Sequence, residues 1–124
     1  MKNKQILIID EYGFSRICSA ILSNAGYDVT ICPVSDLQET CNIQDFRLVV
    51  TSYPYATPVF DEIGKRHIPI LILSDNIDEN LIRILNSFDS SYCMTKPLDY
   101  EKFKLLVKEV INNEVSLQEG YNIV

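Results

Sequence analysis

The most constraining feature of this sequence is a set of short, unbroken apolar runs, each followed by polar residues or proline. Within residues 46–54, positions 48–50 are entirely aliphatic (Leu-Val-Val). Such a run is typical of a strand that is buried on both faces, as in a parallel sheet. Pro54 has no amide hydrogen to donate to a neighbouring strand, so we expect the strand to end near Thr51 and Ser52. Ligands bind just outside the carboxyl ends of strands in open parallel sheets, which makes this strand end the first candidate for a site.

Four other segments have the composition of strands, and helical patterns separate them. The strand segments cover residues 5–10, 27–32, 69–73 and 91–94. Between them, apolar residues recur at the spacing of a buried helix face. Gly26 suits a left-handed cap after the first helix, and Asp78 and Asp99 suit N-cap positions before the last two. Thr57, which precedes a proline, favours another helix start, and a weaker pattern around Leu37 predicts a short second helix.

Five strands that alternate with five helices predict an α/β protein. The expected architecture is a flavodoxin-like (βα)5 doubly wound parallel sheet with helices on both faces and right-handed crossovers. Among the common doubly wound arrangements, the strand order 2-1-3-4-5 fits a chain of this size. We assign residues 1–113 to this domain and residues 114–124 to a polar C-terminal tail. The sequence leaves open whether that tail is a linker, a helical turn or a dimer contact.

Composition and charge exclude several classes of function. The chain has 124 residues, 47% hydrophobic and 23% charged, which suits one globular domain with its own core. The net charge of -6 and the pI of about 4.6 disfavour nucleic-acid binding, and no apolar run reaches the ~18 residues of a membrane span. No secretory signal is evident. We therefore expect a cytoplasmic protein whose four cysteines are small buried thiols rather than disulfides.

The predicted sheet brings polar side chains together at its carboxyl edge. Asp10 and Glu11 follow the first strand and would face Thr51 across the crevice at the switch point. Ser74 and Lys96 end the neighbouring strands. Two carboxylates can hold a hard cation such as Mg²⁺, and a lysine with a hydroxyl suits an anionic phosphoryl group. Each residue alone also fits an ordinary strand end, so the prediction rests on their meeting in one crevice.

The chain resembles the receiver domains of two-component response regulators over about residues 4–112. The Ile-Leu-Ile-Ile-Asp-Glu stretch that ends at Glu11, with Arg16 and the Asn-Ala-Gly-Tyr-Asp-Val stretch at residues 24–29, is similar to the family's opening strand, helix and second strand. Residues 69–74 resemble its fourth strand, with Ser74 at the usual Thr/Ser position. Residues 94–97 resemble its Lys-Pro tip. The resemblance implies that Lys96 contacts a phosphoryl group and that the bond to Pro97 is cis.

The sequence departs from the family at the residue that accepts phosphate. The family's phosphoacceptor is an aspartate at the end of the third strand, whereas residues 48–54 here read Leu-Val-Val-Thr-Ser-Tyr-Pro. The acceptor position aligns with Thr51, or with Val50 by the alternative count, and neither can form an acyl phosphate. The family's aspartate also supplies a metal ligand. The resemblance therefore implies weakened Mg²⁺ binding at Asp10 and Glu11, and no required cofactor.

Two further positions differ from the family. Asp75 replaces the small residue that usually follows the Thr/Ser position, and its charge would repel a phosphate if it pointed inward. The family's aromatic switch residue lies three positions before the lysine, at Cys93 here. Tyr92 is one position earlier and would lie on the opposite face of a regular strand. A one-residue bulge would restore Tyr92 to the switch role.

These features predict a degenerate receiver, a pseudo-receiver without catalytic residues that is not an enzyme. It would act in two-component (phosphorelay) signalling through protein contacts rather than through phosphorylation on aspartate. The partner would be a histidine kinase, an output domain or another regulator. It would bind the helix from Ile77 to Phe88, the strand from Ser91 to Met94 and the last helix. We expect neither nucleic acid nor membrane as a partner, and homodimerisation is left open.

Two alternatives remain. Thr51 or Ser52 could accept phosphate as an ester, but a hydroxyl nucleophile needs a nearby base. The only histidine, His67, precedes the fourth strand and lies at its opposite end. A small enzyme on a flavodoxin-like fold would need a nucleophile motif or a Gly-rich phosphate loop, and the segment after Asp10 supplies neither.

Overall fold

The fold is a parallel sheet of six strands with helices on both faces. The computed structural model describes residues 5–36, 45–112 and 120–124. The strands are β1 (Ile6–Ile9), β2 (Val29–Ile31), β3 (Leu48–Tyr53), β4 (Ile70–Ser74), β5 (Ser90–Thr95) and β6 (Gly120–Ile123). Their order is β2-β1-β3-β4-β5-β6, and each neighbouring pair is parallel. The predicted α/β class and the order of the first five strands are confirmed, and β6 extends the sheet.

Four α-helices lie in the described parts of the chain, and their ends follow the predicted signals closely. They are α1 (Tyr12–Asn24), α2 (Phe60–Gly64), α3 (Glu79–Asn86) and α4 (Tyr100–Ile111). The Asp78 carboxylate accepts a hydrogen bond from the backbone N–H of Leu81 at 2.8 Å, and Asp99 caps the first turn of α4 in the same way. Gly26 follows α1 with a left-handed φ of 96°. These three caps are confirmed.

The two faces of the sheet carry separate apolar clusters, and consecutive strand residues alternate between them. Val49 and Cys93 belong to the cluster under α2 and α3. Val50 and Tyr92 belong to the cluster under α1 and α4, which also contains the fully buried ring of Phe103. This alternation decides which side of the sheet each polar residue at a strand end faces.

β6 lies in the C-terminal segment whose structure the sequence left open. It pairs with β5 in a register that runs from Ser90–Gly120 to Cys93–Ile123, and the N–H of Val124 donates to the Cys93 carbonyl at 2.8 Å. β5 therefore has a neighbouring strand on each side. The predicted partner contact through Ser91 to Met94 stays a prediction, and in this structure all four of these residues are buried.

Two other local predictions differ from the structure. Thr57 does not cap an α-helix: it begins a 3-10 turn, its hydroxyl donates to the Pro54 carbonyl at 2.6 Å, and α2 starts at Phe60. Cys32 is disulfide-bonded, so the prediction of four thiols is also wrong. The predicted short helix around Leu37 lies outside the described residues. None of the described helices is both long and apolar enough to cross a membrane.

Candidate functional site

The parallel strands bring the predicted site residues to one edge of the sheet. The residues lie at or beside the carboxyl ends of β1, β3, β4 and β5, and they are Asp10, Thr51, Ser52, Ser74 and Lys96. Glu11 follows Asp10 and is the N-cap residue of α1, with an exposed side chain that makes no capping hydrogen bond. These residues therefore share one edge of the sheet, and the chemistry of that edge depends on how their side chains are oriented and paired.

A buried hydrogen bond between Asp10 and Ser52 forms the centre of this edge. The register of β1 and β3 pairs Ile9 with Thr51, so the next residues along each strand lie side by side. Ser52 Oγ donates to Oδ2 of Asp10, and the backbone N–H of Glu11 donates to Oδ1 at 2.8 Å. Asp10 is only 4% exposed and Ser52 only 3%. The hydroxyl beside the carboxylate belongs to Ser52, which the sequence indicated only as an alternative phosphate acceptor.

Thr51 lies on the opposite face of β3 from Ser52. It is completely buried, and its Oγ1 donates to the backbone carbonyl of Ile9 at 2.6 Å. Its hydroxyl therefore joins two strands and does not face the Asp10 carboxylate. The sequence could not resolve this point, because an entirely apolar run shows no alternation from which to infer which residues share a face.

Burial raises the pKa values of two groups at this edge, Asp10 and Cys18. It raises the pKa of the Asp10 carboxyl above its ordinary value of 3.8, although the Ser52 hydroxyl, the Glu11 N–H and the charge of Lys96 all act to lower it. Burial, together with the negative charge of Asp10, also raises the pKa of the Cys18 thiol to about 12. Because a thiolate rather than a thiol is the nucleophile, Cys18 is unreactive at neutral pH.

The remaining predicted site residues also have partners inside the protein. Ser74 Oγ donates to the Asn76 carbonyl at 2.5 Å. Lys96 is half-buried, and its Nζ lies 4.3 Å from the centroid of the Phe14 ring, in a cation–π contact. Asp75 is exposed. This edge of the sheet thus holds polar groups that are mostly paired with neighbouring protein atoms.

Comparison with known proteins identifies the fold. No protein-family model matches the chain, and no curated protein matches its sequence. Solved structures do match. A CheY-like response regulator receiver domain from Methanospirillum hungatei superposes with a TM-score of 0.71 at 16% identity, over 91% of this chain and 97% of that one. A two-component response regulator from Clostridium difficile gives 0.72 at 18% identity, over 91% and 99% of the two chains. The chain has the receiver fold.

The receiver fold also occurs in a protein with another description. A pilus assembly-related protein from Burkholderia pseudomallei superposes with a TM-score of 0.69 at 11% identity, over 96% of each chain. At such identities the similarity establishes the fold, and activity has to be argued from the residues of the site. One local feature of the resemblance is present: the peptide bond between Lys96 and Pro97 is cis, as is the bond between Tyr53 and Pro54.

The two candidate switch residues of this receiver fold lie on opposite faces of β5. Cys93 packs in the cluster under α2 and α3, whereas Tyr92 packs in the cluster under α1 and α4. The register between β4 and β5 runs without interruption from Ser91 to Thr95, so no bulge moves Tyr92 to the other face. The side of β5 that faces α3 therefore carries a buried thiol where the resemblance implies an aromatic ring.

Tyr53 is a residue of this edge that the sequence did not indicate. Its hydroxyl accepts a hydrogen bond from Nδ2 of Asn80 at 3.0 Å and donates to the Asp78 carboxylate at 3.4 Å. Because Tyr53 directly follows Ser52, these bonds connect the end of β3 to the start of α3. The contact joins residues that are 25 positions apart in the chain, and no local pattern predicts such a pair.

The described residues do not fit a receiver-type Mg²⁺ site. A hard cation takes several oxygen ligands, of which carboxylates are the strongest. In residues 5–36, 45–112 and 120–124, no group of three or more His, Cys, Asp or Glu side chains is placed to hold a metal ion. Asp10 uses both carboxylate oxygens in hydrogen bonds, and the Glu11 side chain is exposed.

Asp10→Asn is expected to raise the free energy of unfolding at neutral pH. The neutral amide avoids the desolvation cost that raises the pKa of the buried carboxyl, and its oxygen can still accept the Glu11 N–H. Because the folded-state pKa is raised, the folded protein binds this proton more tightly than the unfolded chain does. The cost is therefore present above the folded-state pKa and is lost as the pH falls towards 3.8. Urea unfolding over this pH range measures the difference.

The matched control for this prediction is Asp75→Asn, which makes the same chemical change at an exposed carboxylate on the same edge. This variant should show no pH-dependent gain in stability. A neutral-pH stability of Asp10→Asn below that of the native chain, or a gain that grows as the pH falls, would contradict the assignment of Asp10 as a buried, desolvated carboxylate.

Proposed function

We propose that this chain is a pseudo-receiver, a cytoplasmic module of two-component signalling that acts by binding another protein and catalyses no reaction. The observation that carries the proposal is the presence of Ser52, and not a carboxylate, beside Asp10 at the end of β3. An acyl phosphate forms on a carboxylate, and the last three side chains of β3, those of Thr51, Ser52 and Tyr53, offer only hydroxyls. The chain therefore has the receiver fold without the carboxylate on which the family that it resembles is phosphorylated.

The partners of the other polar groups support the same proposal. A phosphoryl pocket works through donors and cations that are aimed at the position of the phosphate. At this edge the Ser74 hydroxyl donates to a backbone carbonyl, and the Lys96 ammonium lies over the Phe14 ring. Donation from Ser74 to a phosphoryl group would require its present hydrogen bond to break, because the hydroxyl has a single proton to donate. In addition, Cys93 has a buried thiol at the position where the resemblance implies an aromatic switch residue.

The exposed part of α3 is the surface that we propose for a protein partner. Leu81 and Leu85 are buried in the core, whereas Ile82 of α3 is half-buried, and Ile77, which precedes the N-cap residue Asp78, is 36% exposed. Apolar side chains at the solvent face of a helix suit contact with another protein. The partner class is the one expected from the sequence, namely a histidine kinase, an output domain or another regulator. Tyr53 would connect this helix to the end of β3.

A backbone amide NMR titration tests the proposal directly. We expect the native chain to show no site-specific shifts with Mg²⁺, and none on further addition of beryllofluoride, a phosphoryl mimic. A matched titration with sodium salt controls for ionic strength. Shifts that appear with beryllofluoride and spread to Ser74, Lys96 and α3 would overturn the pseudo-receiver, because they would show that the pocket still senses a phosphoryl group.

Phosphorylation of Ser52 as an ester is the second candidate, and one contact favours it. The Asp10 carboxylate accepts a hydrogen bond from the Ser52 hydroxyl, and burial raises the pKa of this carboxyl, so Asp10 could act as the nearby base that a hydroxyl nucleophile needs. The burial of Ser52 opposes this candidate. Incubation with acetyl phosphate followed by intact mass measurement separates the two: an acid-stable phosphoryl increment that Ser52→Ala abolishes would replace the pseudo-receiver with a seryl phosphoprotein.

A further inference from the structure

A groove of about 460 Å³ lies between β6 and α4. Its volume is within the range of about 300–1,000 Å³ that is usual for small-molecule sites. Three large apolar side chains at this groove are open to solvent: Leu105 is 54% exposed, Ile123 49% and Val124 48%. Single exposed apolar residues are ordinary on protein surfaces, but a cluster of them beside a concave surface indicates a binding site. The groove is also lined by Tyr92, Leu106 and Asn122.

Opposite charges lie at the two ends of this groove. Lys102 and Glu109 both line it, and together with Leu105 they have the spacing i, i+3 and i+7 of one face of α4. Lys102 and Glu109 are about 10 Å apart along the helix axis. Neither forms an ion pair with another residue in the part of the chain that the structure describes. The groove therefore has a positive end, an apolar centre and a negative end.

We propose that this groove binds a short apolar peptide with free termini, extended and three residues long. The Lys102 ammonium pairs with the C-terminal carboxylate of the peptide, and the Glu109 carboxylate pairs with its N-terminal ammonium. An extended chain spans at most about 3.3–3.6 Å per residue, so three residues match the ~10 Å between the two charges. The apolar side chains of the peptide then lie on Leu105 and Ile123. A ligand with a single charge, such as a fatty acid, would leave one end of the groove unpaired.

The edge strand beside the groove favours a peptide over other molecules with two opposite charges. β6 pairs with β5, and within the described residues no strand pairs with its outer side. An edge of this kind offers backbone N–H and C=O groups to an extended peptide. Because α4 runs antiparallel to β6, a peptide with its amino end at Glu109 and its carboxyl end at Lys102 runs parallel to β6, as the other strands of this sheet do. The inference rests on this groove alone and does not depend on the proposed signalling role.

Isothermal titration calorimetry of the full chain with the tripeptide Leu-Leu-Leu tests the proposal. The native chain should bind the peptide with a dissociation constant below about 1 mM at low ionic strength, where surface charges are least screened. Lys102→Met and Glu109→Gln should each raise this constant about three- to fivefold, the effect of losing one exposed charge pair. The same peptide with an acetylated amino end and an amidated carboxyl end lacks both charges, and the native chain should bind it about tenfold more weakly.

Peptides capped at one end show which protein charge pairs with which terminus. The amidated peptide should bind the native chain and Lys102→Met equally but still respond to Glu109→Gln, and the acetylated peptide should do the reverse. The control variant is Lys65→Met, which removes an exposed lysine next to α2, on the other face of the sheet, and should leave binding unchanged. Circular dichroism should show native helix content for every variant.

Three results would overturn the proposal. The first is a native chain that does not bind Leu-Leu-Leu below about 1 mM. The second is equal binding of the free and the doubly capped peptide, which would indicate apolar adhesion alone. The third is a loss of affinity in Lys102→Met that is as large for the amidated peptide as for the free one, because the lysine would then act without its proposed partner.

Discussion

Ser52→Asp is expected to create a Mg²⁺ site that the native chain lacks. The new carboxylate would lie beside Asp10, because Ser52 Oγ already contacts Oδ2 of that residue. Two carboxylates in contact repel each other. A divalent cation between them relieves the repulsion and gains oxygen ligands. At ~4 Å and an effective dielectric constant of ~20, each added pair of unit charges contributes about 4 kcal/mol. Even with desolvation offsetting half of this, we expect a gain in affinity of about 30-fold or more.

Isothermal titration calorimetry with MgCl₂ measures this affinity, and the thermal midpoint provides a second readout. Mg²⁺ should raise the midpoint of Ser52→Asp, since the ion binds only the folded state, and should leave that of the native chain unchanged. Ser52→Asn is the matched control, because it has nearly the same shape without the charge. An equal Mg²⁺ response from Ser52→Asn, or none from Ser52→Asp, would show that the side chain at position 52 does not lie beside Asp10.

Phe103→Ala is expected to lower the free energy of unfolding by about 3–5 kcal/mol, the typical cost of deleting a buried aromatic ring. Phe103 has no exposed surface and packs where α4 meets the sheet, in the cluster that also contains Val50 and Tyr92. The loss combines the transfer of the ring to water with the cavity that is left behind. Proteins of this size have a total stability of only about 5–15 kcal/mol, so the variant should be close to unfolding. Urea denaturation monitored by circular dichroism measures the change.

Leu105→Ala is the natural comparison, because it lies two residues along the same helix and is 54% exposed. Its effect on the stability of the isolated chain should stay within about 0.5 kcal/mol, as for most surface substitutions. Equal losses for the two variants would mean that α4 packs on the sheet through a different face. Measurements at concentrations where the chain is monomeric keep dimerisation from contributing to the difference.

The strands and helix caps could be predicted because their signals are local. The aliphatic stretches that became β1, β3 and β4 are too short for helices, and polar residues or proline follow each of them. Asp78 and Asp99 act as caps because a carboxylate next to the first turn of a helix accepts its free amides. Such signals depend on a few neighbouring residues, so the chain shows them without its fold. The parallel order then followed from the alternation of strands and helices.

The parts that could not be predicted depend on contacts between distant segments. Ser52, and not Thr51, lies beside Asp10 because the two residues occupy opposite faces of β3. The register between β3 and β1 decides which of them faces the carboxylate. β6 contains Gly120 and Asn122, which have low strand propensity, and its pairing with β5 stabilises it. The hydrogen bond from Tyr53 to Asp78 likewise joins two segments that are distant in the chain. Local pattern thus determined the elements, while pairing between them determined the chemistry at the sheet edge.

β6 also changes the edge of the sheet at which Val124 lies. A chain that ended with α4 would leave at the amino edge of the sheet, since each helix returns antiparallel to the strand before it. β6 runs parallel to β5 and carries Val124 back to the carboxyl edge, the edge of Asp10 and Ser52. A fluorophore fused after Val124 would therefore lie at the same edge of the sheet as the candidate site, three strands away from β3. An affinity handle intended to leave that edge free belongs on an exposed residue near the start of β4, such as Lys65.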